Sequence, residues 1–438
     1  MKSNDSGNEM LGLTIGHRLK ESRFFRAVVT LASANGLGQL IMLAAMPFLT
    51  RLYTPEAFGV LAVFSSIMGV VLVVASLRYE LAIPLPMSDR SSTSIILIAG
   101  AINLLTVLIV GIFVALFRYD VAQWTQTPLL ASYMWLLPFA ILTGGIYKIL
   151  SYWAIRNKDY RKIAVTKLTQ SISNVCTQIL GGLAGFGALG LILGQIIGQS
   201  AGISRLAKGI SFKGHFTDSS RKRSRVLIGR YSKFAKYDTP AAAINAASAQ
   251  LPNVAMALIF GPAAAGLYFL ADRILAVPLS MISQAAGQVL FSQAREDIRL
   301  GMLTRRMAVL SLCLSVVVML VAVPVFLFSE PVFVLIFGEE WREAGAFASW
   351  LIIGLSVQFV FNPLSVILMA TEGQLANLIV HLFIFAAKLF AFYLAFLGGN
   401  QLEAVQYLVG SLVIGYGFGL VVVFVRANSY SGFINAKI

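Results

Sequence analysis

Apolar positions fall in unbroken blocks separated by short polar interruptions. The blocks lie at 27–49, 57–77, 94–117, 132–155, 163–185, 187–207, 239–260, 264–291, 307–328, 346–370, 375–397 and 404–425. Each is close to the roughly 20 apolar residues that carry an α-helix across a bilayer. A transmembrane β-barrel would show alternating segments of about ten residues instead. The blocks therefore predict about twelve spanning helices, which satisfy their own backbone hydrogen bonds inside hydrocarbon. The stretch PFLTRLYTPEAFGVLAVF, 47–64, sits between the first two blocks, and its Pro55 and Gly59 predict a turn that sends the chain back into the membrane.

Composition agrees. Of 438 residues, 58% are hydrophobic and 12% charged, with mean hydropathy +0.80. Soluble domains carry about 25% charge. Residues 1–25 are polar and basic, and the first apolar block is too long for a cleavable leader's h-region of about 7–15 residues. A short interfacial helix is expected over Met10 to Phe25. Cys176 and Cys313 fall inside predicted spans, which favours apolar packing over a disulfide or a metal.

Net charge is +15. On a soluble chain that would suggest nucleic acid, but here the distribution alternates from gap to gap. Arg18, Lys20, Arg23 and Arg26 precede the first span. Arg78 and Arg90 lie in the second gap, and Arg156, Lys158, Arg161 and Lys162 in the fourth. The sixth is densest, with Lys208, Lys213, Arg221, Lys222, Arg223, Arg225, Arg230, Lys233 and Lys236; the eighth has Arg295, Arg299, Arg305 and Arg306. The intervening gaps carry Arg51, Arg118 and Arg342. The positive-inside rule places both termini and the basic loops in the cytoplasm. Topology accounts for the basic sixth loop, and no aromatic stacking pattern accompanies it, so no nucleic-acid partner is expected.

The turn recurs. Pro55 with Gly59 matches Pro262 with Gly266 in FGPAAAGLYFLADRI, 260–274, at the same four-residue spacing. The chain thus reads as two six-helix bundles, 1–207 and 237–438, joined by a basic linker, 208–236. Parallel repeats of this kind are a transporter architecture.

Intramembrane polar residues are functional candidates because hydrocarbon penalises them. Lys167, Ser171, Asn174 and Gln178 form one helical stripe, and Arg273, Ser280, Gln284 and Gln288 another. Asn377, His381 and Lys388 share a face, as do Asp238 and Asn245, and Gln358, Asn362 and Ser365 beside Pro363. Asn35 and Gln39 are one turn apart, and Lys148 lies in the fourth span. Each has a plainer reading: snorkelling or a local salt bridge for Lys167 and Asp238, and interhelical bonding for the amides. His381 is either a proton site or a helix–helix hydrogen bond. Asp272 adjoins Arg273 but points about 100° away, which directs it toward another helix rather than a cavity. Deep cations (Lys148, Lys167, Arg273, Lys388) outnumber deep acids, so a shared cationic cavity and an anionic passenger are expected. The third, ninth and twelfth spans are nearly all apolar and are expected to face lipid.

No P-loop, HExxH or CxxC occurs, and there are three histidines. No metal, cofactor, enzymatic constellation or direct use of ATP is expected. Gly182 and Gly185 in GGLAGFGALGLILGQ suit a tight turn or helix packing rather than dinucleotide binding. Glu339, Glu340 and Glu343, in the gap at 329–345, read as a solvated loop rather than the catalytic cluster of a membrane glycosyltransferase or polymerase.

LASANGLGQLIMLAAMPFLTRLYTPEAFGVLAVF, followed by LRYELAIPLPMSD, resembles the bacterial oligosaccharide flippases. These translocate O-antigen, capsule and exopolysaccharide repeat units, within the multidrug/oligosaccharidyl-lipid/polysaccharide exporter superfamily. The match spans 27–90, and Tyr268, Ala271 and Arg273 extend it loosely. The resemblance implies an all-α, MATE-like integral membrane fold. It implies a substrate of undecaprenyl-diphosphate-linked oligosaccharide, moved from the cytoplasmic to the periplasmic leaflet of the inner membrane and coupled to an ion gradient. It further implies a membrane polysaccharide polymerase and a chain-length regulator as partners. The family supplies no site signature, so the polar stripes themselves give the residues that such a diphosphate and glycan would meet: Arg273, Lys148, Lys388, Lys167, Gln284, Gln288, Asn174, Gln178 and Asn245. Asp272, Asp238 and His381 are the coupling candidates. A lipid-linked peptidoglycan precursor flippase and a multidrug or cation antiporter of the same fold are the alternatives.

Overall fold

The structure, a computed structural model, describes residues 35–208, 210, 218–371 and 373–435. The tail segment from Met10 to Phe25, and the basic residues before it ends, lie outside the described residues. The described chain is helical throughout. The first lobe contains α1 (described over 35–52), α2 (Pro55–Val74), α3 (Asp89–Trp124), α4 (Leu136–Arg156), α5 (Tyr160–Leu183) and α6 (Ala188–Ser200). The second contains α7 (Thr239–Phe260), α8 (Pro262–Arg299), α9 (Leu303–Phe337), α10 (Arg342–Ala370), α11 (Gln374–Phe396) and α12 (Gln401–Asn435). Among the described residues, nine helices are long and apolar enough to cross a membrane. The described part of α1, the polar α5 and the 13-residue α6 fall short of that measure, yet occupy the positions of expected spans.

The two lobes meet through the repeated turn. Thr54 caps α2, its Oγ1 accepting from the Ala57 amide at 3.4 Å, with Pro55 in the first helical position. Gly261, at φ +86°, leads into α8 and Pro262 opens it. The two helix starts cross. A Cβ on Gly59 would lie closer than 3.0 Å to the Pro262 carbonyl, and one on Gly266 equally close to the Pro55 carbonyl. Each copy's glycine thus receives the other copy's proline, the reciprocal contact of a two-fold axis. Phe58 packs edge-on against Trp341 with centroids 5.0 Å apart, and the Trp341 indole donates to the Thr50 carbonyl at 3.2 Å. Gln126 donates to the Leu258 carbonyl at 3.0 Å on the same side, here called the turn face.

The opposite, basic face is also bridged. Arg78 pairs with Asp238, and Tyr79 donates to the Ile228 carbonyl at 3.1 Å. The connecting helix Asp218–Arg230 leads to a wide π turn, Phe234–Asp238. Leu227 sits in an apolar cluster with Tyr79, Ile95 and Trp153, and Tyr231 and Phe234 pack on it. The connector therefore rests on the first lobe. Arg156 braces the preceding loop, bonding the Met87 carbonyl at 3.1 Å and Asp89 at 3.0 Å.

Within the first lobe, Gly190, Gly194 and Gly198 line one face of α6 at four-residue spacing. Cβ atoms at Gly194 and Gly198 would lie closer than 3.0 Å to residues of α5, so only glycine permits this approach. The apolar spans differ in placement. Only 11% of the most apolar stretch of α9 is buried, as expected of a lipid-facing helix. For α12 the share is 44%, because it packs between α10 and α11; its apolar sequence reflects enclosure by protein, not only lipid. Cys176 and Cys313 are unpaired and exposed on their helices rather than packed inside. Glu339 forms a bidentate pair with Arg342 at 2.8 and 3.1 Å in a solvated setting.

The crossing gives a direct expectation. Gly59→Ala and Gly266→Ala should each force the lobes apart at the turn face. Spin labels at Glu56→Cys and Glu340→Cys, both exposed sites, in a protein lacking Cys176 and Cys313, should report a longer distance in either variant. An unchanged distance would show that the crossing does not hold this face shut.

Candidate functional site

Five helices of the second lobe enclose a polar cavity of about 420 Å³. Each presents one stripe at helical spacing. From α8 come Tyr268, Asp272 and Ala276; from α10, Leu351, Leu355, Gln358 and Asn362. From α11 come His381, Ile384 and Lys388; from α12, Leu408, Leu412 and Tyr416. The α7 wall includes Asn245, Ser248, Pro252 and Asn253.

Lys388 is 7% exposed and donates to the Ser248 carbonyl at 3.1 Å. The sequence supplies the reason. In a regular helix the Ser248 carbonyl accepts from the amide four residues on, but that residue is Pro252, which has none. The lysine takes the vacated acceptor. Asp272 lines the same cavity, close enough for its charge to act on Lys388. Among the described residues it forms no ion pair within 4.0 Å. The Tyr268 and Tyr416 hydroxyls and the side chains of Gln358 and Asn362 likewise make no hydrogen bond to a described residue.

The remaining cations lie elsewhere. Lys148 donates to the Leu72 carbonyl at 2.7 Å, in the last turn of α2, where a helix has unsatisfied acceptors. Arg273 lies over the Phe269 ring, 5.4 Å from its centroid, and reaches Met42 Sδ of α1 at 3.5 Å. Among the described residues it faces no carboxylate within ion-pairing distance. Lys167 stands over the Tyr147 ring at 5.1 Å. Arg273, Lys148 and Lys388 therefore do not gather around one hollow. Two of them serve helix carbonyls, so the excess of cations does not by itself specify an anionic passenger.

The polar stripes divide similarly. Asn174 and Gln178 face the glycines of α6, and Gln178 donates to the Leu191 carbonyl at 3.1 Å while its own carbonyl accepts from Tyr53 at 2.5 Å. Gln284 and Gln288 are exposed on α8, and Asn245 is exposed at the cavity's lip. Asp238 is the basic-face partner of Arg78. His381 and Asp272 both line the cavity. The expectation for the neighbours on α8 is thus reversed: Asp272 turns into the cavity and Arg273 toward the first lobe. Tyr416, Ser248 and Asn253 were not singled out from sequence, and Tyr268 was marked only by the family pattern it shares with Ala271 and Arg273. Pro252, four residues after Ser248, was the available signal for the last turn of that wall. Among the described residues, no group of three or more His, Cys, Asp or Glu side chains is placed to hold a metal.

A family model for polysaccharide biosynthesis proteins matches residues 48–346. The chain belongs to the polysaccharide biosynthesis protein family. No curated protein matches its sequence. Among solved structures it is similar to lipid II flippase MurJ in an inward closed conformation, with TM-score 0.70, 14% identity, and 92% of this chain and 91% of that one covered. It is also similar to an inward-facing multidrug resistance MATE family transporter of the MOP superfamily, with TM-score 0.63, 16% identity and 92% and 98% coverage. A MOP superfamily transporter from Pyrococcus furiosus aligns with TM-score 0.54, 12% identity and 92% and 96% coverage. At these identities the likeness establishes the fold alone: an all-helical membrane fold of the MATE type.

The Lys388 anchor is testable. Pro252→Ala restores an amide to the Ser248 carbonyl and makes the lysine redundant there. Lys388→Met should therefore destabilise the native background more than the Pro252→Ala background, by roughly 0.5–3 kcal/mol of coupling. Thermal unfolding of the four proteins in detergent measures this; additive effects would refute it.

Proposed function

We propose that this protein is a flippase that moves undecaprenyl-diphosphate-linked oligosaccharide repeat units from the cytoplasmic to the periplasmic leaflet for surface polysaccharide assembly. The observation that carries the reading is membership of a polysaccharide biosynthesis family on a two-lobed transporter fold. A glycan and a diphosphate cannot cross hydrocarbon unaided. Two lobes that separate first on one face and then on the other would carry the head group while the lipid tail stays in the bilayer. The proposed working units are residues 1–207 and 237–438, with 208–236 between them. The positive-inside rule supports a cytoplasmic basic face, cytoplasmic termini and, in a bacterium, the inner membrane.

In this reading Arg273, without a described acid partner between the lobes, meets the diphosphate. Lys388, Asn245 and the exposed Gln284 and Gln288 contribute to the glycan path. Lys148, Lys167, Asn174 and Gln178 are engaged with helices or rings, which supports a positioning role for them. Asp272 and His381 are the residues proposed to take a coupling proton or ion, and Asp238 acts through its interlobe pair with Arg78. A membrane polymerase and a chain-length regulator would use the product. No catalytic step is assigned to the chain.

A second reading, flipping of a lipid-linked peptidoglycan precursor, draws support from the similarity to the lipid II flippase. A multidrug antiporter is disfavoured because Lys388 stands in the same cavity as Asp272, where a cationic drug would be repelled.

Deletion of the gene should leave complete lipid-linked repeat units on the cytoplasmic leaflet, and Arg273→Ala should reproduce that block while the protein still inserts. Lipid-linked oligosaccharides extracted and sided by periplasmic enzyme accessibility provide the measurement. Accumulation of peptidoglycan precursor would favour the second reading, and normal transport by Arg273→Ala would remove the assigned role of that residue.

A further inference from the structure

Adjacent residues on α8 look in different directions. Side chains one residue apart on a helix diverge by about 100°, with a rise of about 1.5 Å. Arg273 reaches α1 of the other lobe, with Met42 Sδ at 3.5 Å, whereas Asp272 enters the second-lobe cavity. In a lipid-linked glycan the first sugar is joined directly to the diphosphate. Two sites that read these two groups must therefore adjoin, and these start from consecutive residues of α8. Resting on the flippase reading above, we propose that Arg273 holds the diphosphate at the seam between the lobes and that the second-lobe cavity binds the sugar attached to it.

The cavity has the chemistry for a sugar ring. Asp272 accepts hydrogen bonds, the amides of Gln358 and Asn362 both donate and accept, and the Tyr268 and Tyr416 hydroxyls do the same. None of these groups is spent on another described side chain or carbonyl. These groups keep accessible surface inside the cavity, where water meets them until a ligand takes its place, and beside them Asn253 Oδ1 is buried without a partner. At about 420 Å³ the space lies toward the lower end of small-molecule sites, roughly 300–1,000 Å³. It has room for a sugar ring with its substituents. A free metal cation suits it poorly. The Lys388 ammonium, held on the Ser248 carbonyl, already supplies the positive charge opposite Asp272. The site would thus read the first sugar of the repeat unit and leave the distal sugars in the wider passage.

The test is binding to the full-length protein in nanodiscs, with two probes: undecaprenyl diphosphate, and undecaprenyl diphosphate bearing only the first sugar added by host membranes. The native protein should bind the sugar-bearing probe more tightly. Gln358→Ala with Asn362→Ala should weaken the sugar-bearing probe about tenfold or more and leave undecaprenyl diphosphate unchanged. The unchanged probe also reports that the variant is folded. Arg273→Gln should weaken both probes. If the double variant loses both probes, Asn245→Ala at the exposed lip is read in its place against the same criterion. Equal affinity of the native protein for the two probes, or pocket variants that bind both like the native protein, would overturn the sugar site and leave the flippase reading standing. That reading fails separately, and takes the sugar site with it, if the native protein binds neither probe and the deletion strain accumulates no lipid-linked repeat units.

Discussion

Helices in a bilayer gain little by hiding apolar surface from lipid tails, so association depends on how closely their backbones approach and on which polar groups they share. In this protein that constraint is concentrated where α2 and α8 cross. Gly59 and Gly266 admit the carbonyls of Pro262 and Pro55, and no side chain larger than hydrogen fits there. The crossing brings Phe58 to Trp341 and sets α1 beside α8, so that Arg273 faces Met42. It continues into the hydrogen bond between Ser66 of α2 and Gln250 of α7, 3.0 Å long. The seam is therefore built on main-chain proximity, with side chains filling in around it.

A second theme is the supply of unsatisfied carbonyls. A helix end leaves the Leu72 oxygen open, and a proline leaves the Ser248 oxygen open. A lysine meets each one. Lys388 is buried and Lys148 half-buried because the backbone has acceptors to offer them, a reason internal to the fold. Arg273 is different: its visible company is a ring and a thioether, weak partners for a guanidinium.

The fold was largely legible in the sequence because continuous apolar blocks and a repeated Pro-x-x-x-Gly turn are strong, local signals. The site was legible only in part. Periodicity correctly put Lys167, Ser171, Asn174 and Gln178 on related faces of α5, but a stripe does not reveal what lies opposite it. Ser171 proved to lie against Gly38 of α1, and Asn174 and Gln178 against Gly198 and Gly194 of α6, glycines present in the sequence that explain the burial of Gln178. The angular separation of Asp272 and Arg273 was likewise readable, whereas the identity of the surface each one met depended on the packing of α1 and α11. Tyr416 carried no local mark, since a tyrosine within an apolar run looks like ordinary core until other helices close around it, and the pattern that marked Tyr268 said nothing of a cavity.

From residue 218 onward, the described chain between the halves is bound to the first half. Leu227, Tyr231 and Phe234 adhere to the first half, Tyr79 grips the Ile228 carbonyl, and Arg78 clamps Asp238 at the threshold of α7. The second bundle is therefore hung from a bracket fixed to the first. The entry to α7 is thus tethered at residue 238, and chain added ahead of Leu227 would leave that tether in place.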